Sequence, residues 1–232
     1  MTAGPPAAWW VSRSHGAAAS FHGRTPNLDD GGPRQVWVFD VARPALALGS
    51  TQRASDVDAR VAEALGIDVV QRRSGGGAVL MLPGEVVWID LVIGRGDPLW
   101  DDDVGRSMHW VGLAWSAALA GLGVPSVVHT GALVASPWSR MVCFAGLGAG
   151  EVVDAAGRKL VGVAQRRTRE WARFQTMCHI RWRPELVAAL TAAPRPTALE
   201  LAGMVGTVPL TTLPAPAVST AVVATAVVTA LA

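Results

Sequence analysis

Two rhythms of apolar and polar positions run along this chain. Short apolar runs bounded by Gly, Pro, Asp or Ser predict strands. They are Gln35–Phe39, Ala45–Leu48 (ending at Gly49), Ile67–Gln71, and Ala78–Leu82 followed by Val86–Ile93 across a Pro83-Gly84 turn. Val127-Val128, Met141–Phe144, Glu151–Val153 and Leu160–Gln165 read as further short strands or turns. Helical spacing takes over where Val57, Val61, Ala64 and Leu65 follow a cap at Ser55 or Asp56 and stop at Gly66. The longest such stretch, Asp101–Leu122, puts Val104, Met108, Val111, Trp115, Leu119 and Leu122 on one face behind an acidic start. Glu185–Leu190 after Pro184 predicts another helix. Val218, Val222, Val223, Val227 and Leu231 predict a last one packed on the core. Strands outnumber helices and several are joined by short turns, so an α+β domain is expected rather than regular βαβ alternation.

Composition refines this picture. The 232 residues suit one substantial domain, and with half of them hydrophobic and 16% charged, disorder is excluded as the default. Residues 1–34, rich in Gly, Pro, Ala and Ser, read as a flexible arm, with Trp9-Trp10-Val11 as a local exception; residues 35–232 read as a single domain with a C-terminal helix. A net charge of +2 argues against a dedicated nucleic-acid surface, and Arg166-Arg167-Thr168-Arg169 reads as a solvated face. Two cysteines, Cys143 and Cys178, make no secreted disulfide framework, and Arg13, His15, His22 and Arg24 interrupt any signal-peptide core. A cytoplasmic location is expected. No charged residue follows Glu200, but Pro209, Pro214 and Pro216 break the stretch, and Ala217–Ala232 is shorter than the ~20 residues of a spanning helix, so no membrane span is expected. Cys178-His179 alone makes no metal site; these two, His109 and His129 read as strand, helix and loop residues, and no metal is expected.

Chemistry concentrates in two segments. Arg72-Arg73-Ser74-Gly75-Gly76-Gly77-Ala78-Val79 holds three successive glycines, whose conformational entropy opposes folding. Without Cβ atoms the backbone can lie against a ligand and turn its N–H groups toward an oxyanion, with two arginines alongside. The alternative is a Gly-rich hairpin turn. The spacing fits neither the phosphate loop nor the dinucleotide fingerprint. In Gly157-Arg158-Lys159-Leu160-Val161-Gly162-Val163-Ala164-Gln165-Arg166, Lys159 is either an ordinary exposed charge or a group that holds an acyl carbonyl oxygen or carboxylate.

Together, in this order and at this separation, the two segments resemble the lipoate–protein ligase and octanoyltransferase superfamily. Leu48-Gly49-Ser50-Thr51-Gln52 matches a third element of that family, and the resemblance spans roughly residues 36 to 190. It implies a mixed, largely antiparallel sheet flanked by helices, a fold shared with biotin protein ligases and the core of class II aminoacyl-tRNA synthetases. It also implies an acyl pocket walled by Arg72, Arg73, Ser74, Gly75, Gly76, Gly77 and Ala78, with Gln52, Gly162 and Ala164 contributing and Lys159 contacting the acyl group. Met141-Val142-Cys143-Phe144-Ala145-Gly146 looks like the segment that carries the nucleophilic cysteine in one octanoyltransferase group, with Glu151 at a comparable place. The alternative for Cys143, between Val142 and Phe144, is a small buried hydrophobe.

The implied reaction attaches an octanoyl or lipoyl group to the lysine of a lipoyl-carrier domain. A ligase would need ATP with Mg, because joining a free acid to an amine is uphill. A transferase starting from a thioester, with an acyl carrier protein as donor partner, needs only a nucleophile and charge stabilisation. No tightly bound cofactor is expected, and the chain is expected to be a monomer. Two departures stand out. Many family members carry a histidine shortly after the glycines, where this chain has Leu80-Met81-Leu82, and His-Gly or His-His after the lysine strand, where it has Phe174-Gln175-Thr176-Met177-Cys178-His179. They leave open a non-catalytic acyl-binding or regulatory protein. A biotin ligase is the weaker alternative, since its Gly-Arg-Gly-Arg-x-Gly loop is absent.

Overall fold

A computed structural model describes residues 8–208 and 224–231. Its centre is a seven-stranded sheet in the order β1-β2-β6-β10-β9-β8-β7. The strands are β1 (Trp10–Gly16), β2 (Arg34–Val41), β6 (Val86–Gly94), β7 (Val127–Val128), β8 (Val152–Val153), β9 (Lys159–Arg167) and β10 (Trp171–His179). All neighbours are antiparallel except β1, which runs parallel to β2 at the edge. A second sheet holds β3 (Ala45–Leu48) between β4 (Asp68–Gln71) and β5 (Val79–Met81).

The layering explains the long apolar runs. Every residue of β6 and β10 is buried, which requires cover on both faces of the sheet. On one face, Ile89, Leu91, Phe174 and Cys178 meet Val111, Trp115 and Leu119 of α4 (His109–Gly121), with Ala224 and Val227 of the helical C-terminal segment 224–230. Trp115 satisfies its indole N–H on Thr176 Oγ1 at 2.9 Å. On the other face, Trp88 and Met177 meet Ala47, Val79 and Met81 of the small sheet. The far side of the small sheet (Leu46, Leu48, Leu80) packs on α3 (Ala59–Ala64), α5 (Pro184–Leu190) and α6 (Ala198–Ala202). The α+β reading and the largely antiparallel sheet therefore hold. No helix among the described residues is long and apolar enough to cross a membrane.

Several local expectations change. Among the described residues, regular secondary structure begins at Trp10 rather than near Gln35. Residues 10–31 form β1, α1 (Ala18–Gly23) and α2 (Leu28–Gly31) instead of a flexible arm, because β1 pairs its backbone with β2 and Phe21 stacks on Phe39 in the core. A buried ion pair fastens α1 to the sheet. Arg173 donates to Asp90 at 2.6 Å while its other N–H groups bind the carbonyls of Phe21 and Arg24. The helix expected from Asp101 starts only at His109, after a 3-10 turn over Arg106–Met108. Asp101 accepts from the Asp103 amide and Asp103 from the Arg106 amide, so side chains take up amides that a helix would use. Pro83-Gly84 joins no hairpin, since β5 and β6 lie in different sheets. Met141–Phe144, expected as a short strand or a turn, is a turn leading into a 3-10 segment, Cys143–Ala145. Of the predicted terminal helix, residues 217–223 lie outside the described residues.

Candidate functional site

The loop that follows β4 carries Arg72 to Gly77 across the end of the small sheet, and the Cys143 turn lies against it. Backbone hydrogen bonds join the two: the Ala78 amide donates to Met141 O at 2.8 Å, and the Cys143 amide to Ala78 O at 3.0 Å. Gln52 supports the same junction, accepting from the Gly49 amide at 2.9 Å and donating to Met141 O at 3.1 Å. The glycines are needed where these backbones meet. A Cβ on Gly77 would come within 2.7 Å of Cys143 N and Val142, and one on Gly49 would collide with Gly76 O. Gly76 adopts φ +97°, a conformation that side-chain-bearing residues avoid. Gly75 has open space around it.

Lys159, the first residue of β9, is 4% exposed and holds this turn from below. Its ammonium donates to Cys143 O at 2.9 Å and Gly146 O at 3.0 Å and pairs with Glu151 Oε1 at 2.6 Å, so all three protons are engaged. Glu151 is equally buried and also accepts from the amides of Gly148 and Val163. The cation next to the Cys143 sulfur is instead Arg72. It is buried, with Nη2 at 3.7 Å from Sγ and 2.9 Å from Gly77 O.

Two spaces meet at Cys143. Between the sheets runs a narrow apolar slot lined by Val79, Met81, Trp88, Phe144, Gly162 and Met177 among others. Cys143, Val163 and Ala164 line both this slot and a wide open groove, which Gly75, Gly76, Gly77, Gln52 and Lys159 also line. The sequence-predicted residues thus converge, with differences. Ser74 is buried and donates to Gln175 Oε1 at 2.6 Å rather than facing the groove, and Arg73 is exposed. Cys143 is half-buried at the mouth of the slot, whereas Cys178 is fully buried in β10 and burial pushes its thiol up to about 12. His179 is enclosed by Phe144 and Trp182, and burial, with the charge of Lys159, lowers it to about 3. Among the described residues no group of three or more His, Cys, Asp or Glu side chains is gathered for a metal ion.

Residues not singled out from sequence also enter the site. His22 of α1 lines the slot, lies 4.5 Å from the Trp88 ring and bonds through Nδ1 to Gln175 Nε2 at 3.2 Å. Its only sequence signal is a polar residue beside Phe21 in a segment too short to show a period.

The sequence matches the family described as Lipoyl protein ligase A/B catalytic domain over residues 25–201. No curated protein sequence matches the chain. Among solved structures, a lipoate-protein ligase A bound with ATP is similar at a TM-score of 0.70 and 15% identity, covering 98% of this chain and 84% of that one. The putative lipoate protein ligase Ta0514 from T. acidophilum with bound lipoic acid gives 0.69 at 15% identity, covering 98% and 85%. A bi-partite lipoate protein ligase from Thermoplasma acidophilum, described together with its E2 lipoyl domain, gives 0.71 at 15%, covering 97% and 82%. At that identity the likeness shows a shared fold.

Proposed function

Because the chain belongs to the lipoyl protein ligase A/B catalytic-domain family, we propose that it transfers an octanoyl or lipoyl group from a thioester donor to the lysine of a lipoyl-carrier domain, through Cys143. The observation that carries this reading is the apolar slot that opens beside the Cys143 sulfur into a wide groove. A hydrocarbon tail in the slot sets its carbonyl at the sulfur, and the groove leaves room for the donor and then the carrier lysine.

Arg72 stands at the sulfur where it balances a thiolate's charge. The thiolate attacks the acyl carbonyl, the bond to the donor sulfur breaks, and the donor leaves as a thiol with the proton given up by Cys143. The carrier amine then attacks the acyl-Cys143 thioester, forms the amide, and returns its proton to the cysteine sulfur. Amides of the glycine loop border the groove where the carbonyl oxygen gathers charge. Lys159, with every proton engaged, acts first by fixing the carbonyls of Cys143 and Gly146. It reaches an acyl oxygen only by releasing one of them.

ATP-driven ligation is the second reading, favoured by the fold shared with a ligase bound with ATP. The groove has room for a nucleotide. However, the charged side chains among its described lining are Asp56, Arg140, Glu151 and Lys159, two of each sign, with Lys159 and Glu151 already paired. A triphosphate finds no net positive charge there, which favours the thioester route.

The test is acylation of a lipoyl-carrier domain from octanoyl-acyl carrier protein, and separately from octanoate with ATP and Mg, read by mass spectrometry. The thioester donor is expected to add one acyl group without ATP, and Cys143→Ala to abolish it. Acylation only from acid plus ATP moves the assignment to ligase, and no added mass from either donor rejects catalysis.

A further inference from the structure

His22 and Arg72 both line the slot, and each holds a buried N–H group with no protein partner: Nε2 of His22 and Nε of Arg72. Both residues are more than nine-tenths buried. His22 precedes the residues that match the family, so the match assigns it nothing. Its tautomer follows from its neighbours. Ser74 Oγ donates to Gln175 Oε1, which turns the amide nitrogen of Gln175 toward His22 Nδ1 as donor. Nδ1 therefore accepts, and the ring proton sits on Nε2. Burial, with the charges of Arg72 and Arg173 alongside, lowers His22 to about 3, so the ring is neutral. His22 and Arg72 line the slot but not the groove, whereas Cys143, Val163 and Ala164 line both and mark the mouth. His22 and Arg72 are thus residues of the slot rather than of the groove, with Arg72 also reaching the Cys143 sulfur at the mouth.

We propose that the slot selects a medium-chain acyl group bearing an oxygen acceptor, a hydroxyl or keto group, on its buried carbons, received by His22 Nε2–H and Arg72 Nε–H. The proposal rests on the acyl-slot reading above and narrows its substrate class. Both donors are already closed off from water, and a saturated chain leaves them unmet, the costly case for a buried polar group. A dithiolane sulfur is only a weak acceptor and meets them in part. The remaining lining, Met81, Trp88, Phe144 and Met177, favours an uncharged acceptor over a second carboxylate.

Calorimetric titration of the full chain with octanoate, ω-hydroxyoctanoate and (ω−1)-oxo-octanoate, each as the acid and as its pantetheine thioester, tests this without requiring turnover. An oxygenated chain is expected to bind at least about tenfold more tightly than octanoate, the scale of one satisfied buried donor. His22→Phe, which keeps the ring and removes the donor, is expected to erase that preference. Equal binding of all three by the unaltered chain overturns the inference and leaves the acyl slot standing. So does a His22→Phe variant that weakens all three alike and keeps the preference. Binding of none overturns the acyl-slot reading itself.

Discussion

Lys159 illustrates how one residue can serve structure and chemistry at once. An ammonium and a carboxylate, each about 5% exposed and 2.6 Å apart, have given up their hydration, and each is tolerable there only because of the other. Lys159→Met therefore strands Glu151. The variant is expected to lose about 3–5 kcal/mol of stability, the usual consequence of removing one partner of a buried pair, read as a lower urea midpoint. Lys159→Met with Glu151→Leu removes both charges and should regain most of that loss. If the double variant is stable yet fails to acylate a carrier domain, Lys159 has a role in the reaction beyond holding the Cys143 turn. If Lys159→Met alone is as stable as the parent, the clamp described for it is wrong. Sequence showed this lysine as notable and showed nothing of its engaged protons. Those depend on Cys143, Gly146 and Glu151, up to 16 residues away along the chain.

At the scale of elements, the site is a seam between two loops, and its glycines have unequal parts to play. Three in a row look alike in sequence, and only the packed loops distinguish them. Gly75 faces open space, Gly76 carries the positive φ, and Gly77 lies under the Cys143 turn with no room for a Cβ. Gly75→Ala is expected to keep near-parental acyl binding. Gly77→Ala must push the Cys143 turn away and is expected to weaken octanoate binding by about tenfold or more while the domain stays folded. Calorimetry with circular dichroism as the folding check reads both; equal effects at Gly75 and Gly77 would refute the seam. The same reasoning explains which elements sequence revealed. β3, β6, β9 and α4 bury continuous or periodic apolar faces, so their patterns are strong. β1 escaped notice because Trp-Val-Ser-Arg-Ser-His-Gly lies on an edge and is held by main-chain pairing to β2. α1 is likewise fixed by Arg173 from about 150 residues further along.

Across the whole molecule, placing histidines in a dry interior makes stability depend on pH. His22 and His179 have folded-state values near 3 against an ordinary 6.5, because burial disfavours the imidazolium. Between about pH 6.5 and 3, the unfolded chain binds protons at these two positions that the folded chain refuses. Stability therefore rises with pH in that window and is lost as pH falls through it, by up to about 1.4 kcal/mol per pH unit for each histidine. Asp90 contributes with the opposite sign, since burial raises its carboxyl despite Arg173, and the folded state there holds its proton more readily. The comparison that cancels Asp90 is between the parent and His179→Phe, which removes one histidine from the aromatic cluster with Phe144 and Trp182 at a position that does not itself line the slot. Urea midpoints measured from about pH 7 to about pH 5 should fall for the parent and fall less steeply for the variant. Superimposable slopes would mean that His179 takes up its proton without unfolding, through an opening of the core that the packing of Phe144, His179 and Trp182 does not allow.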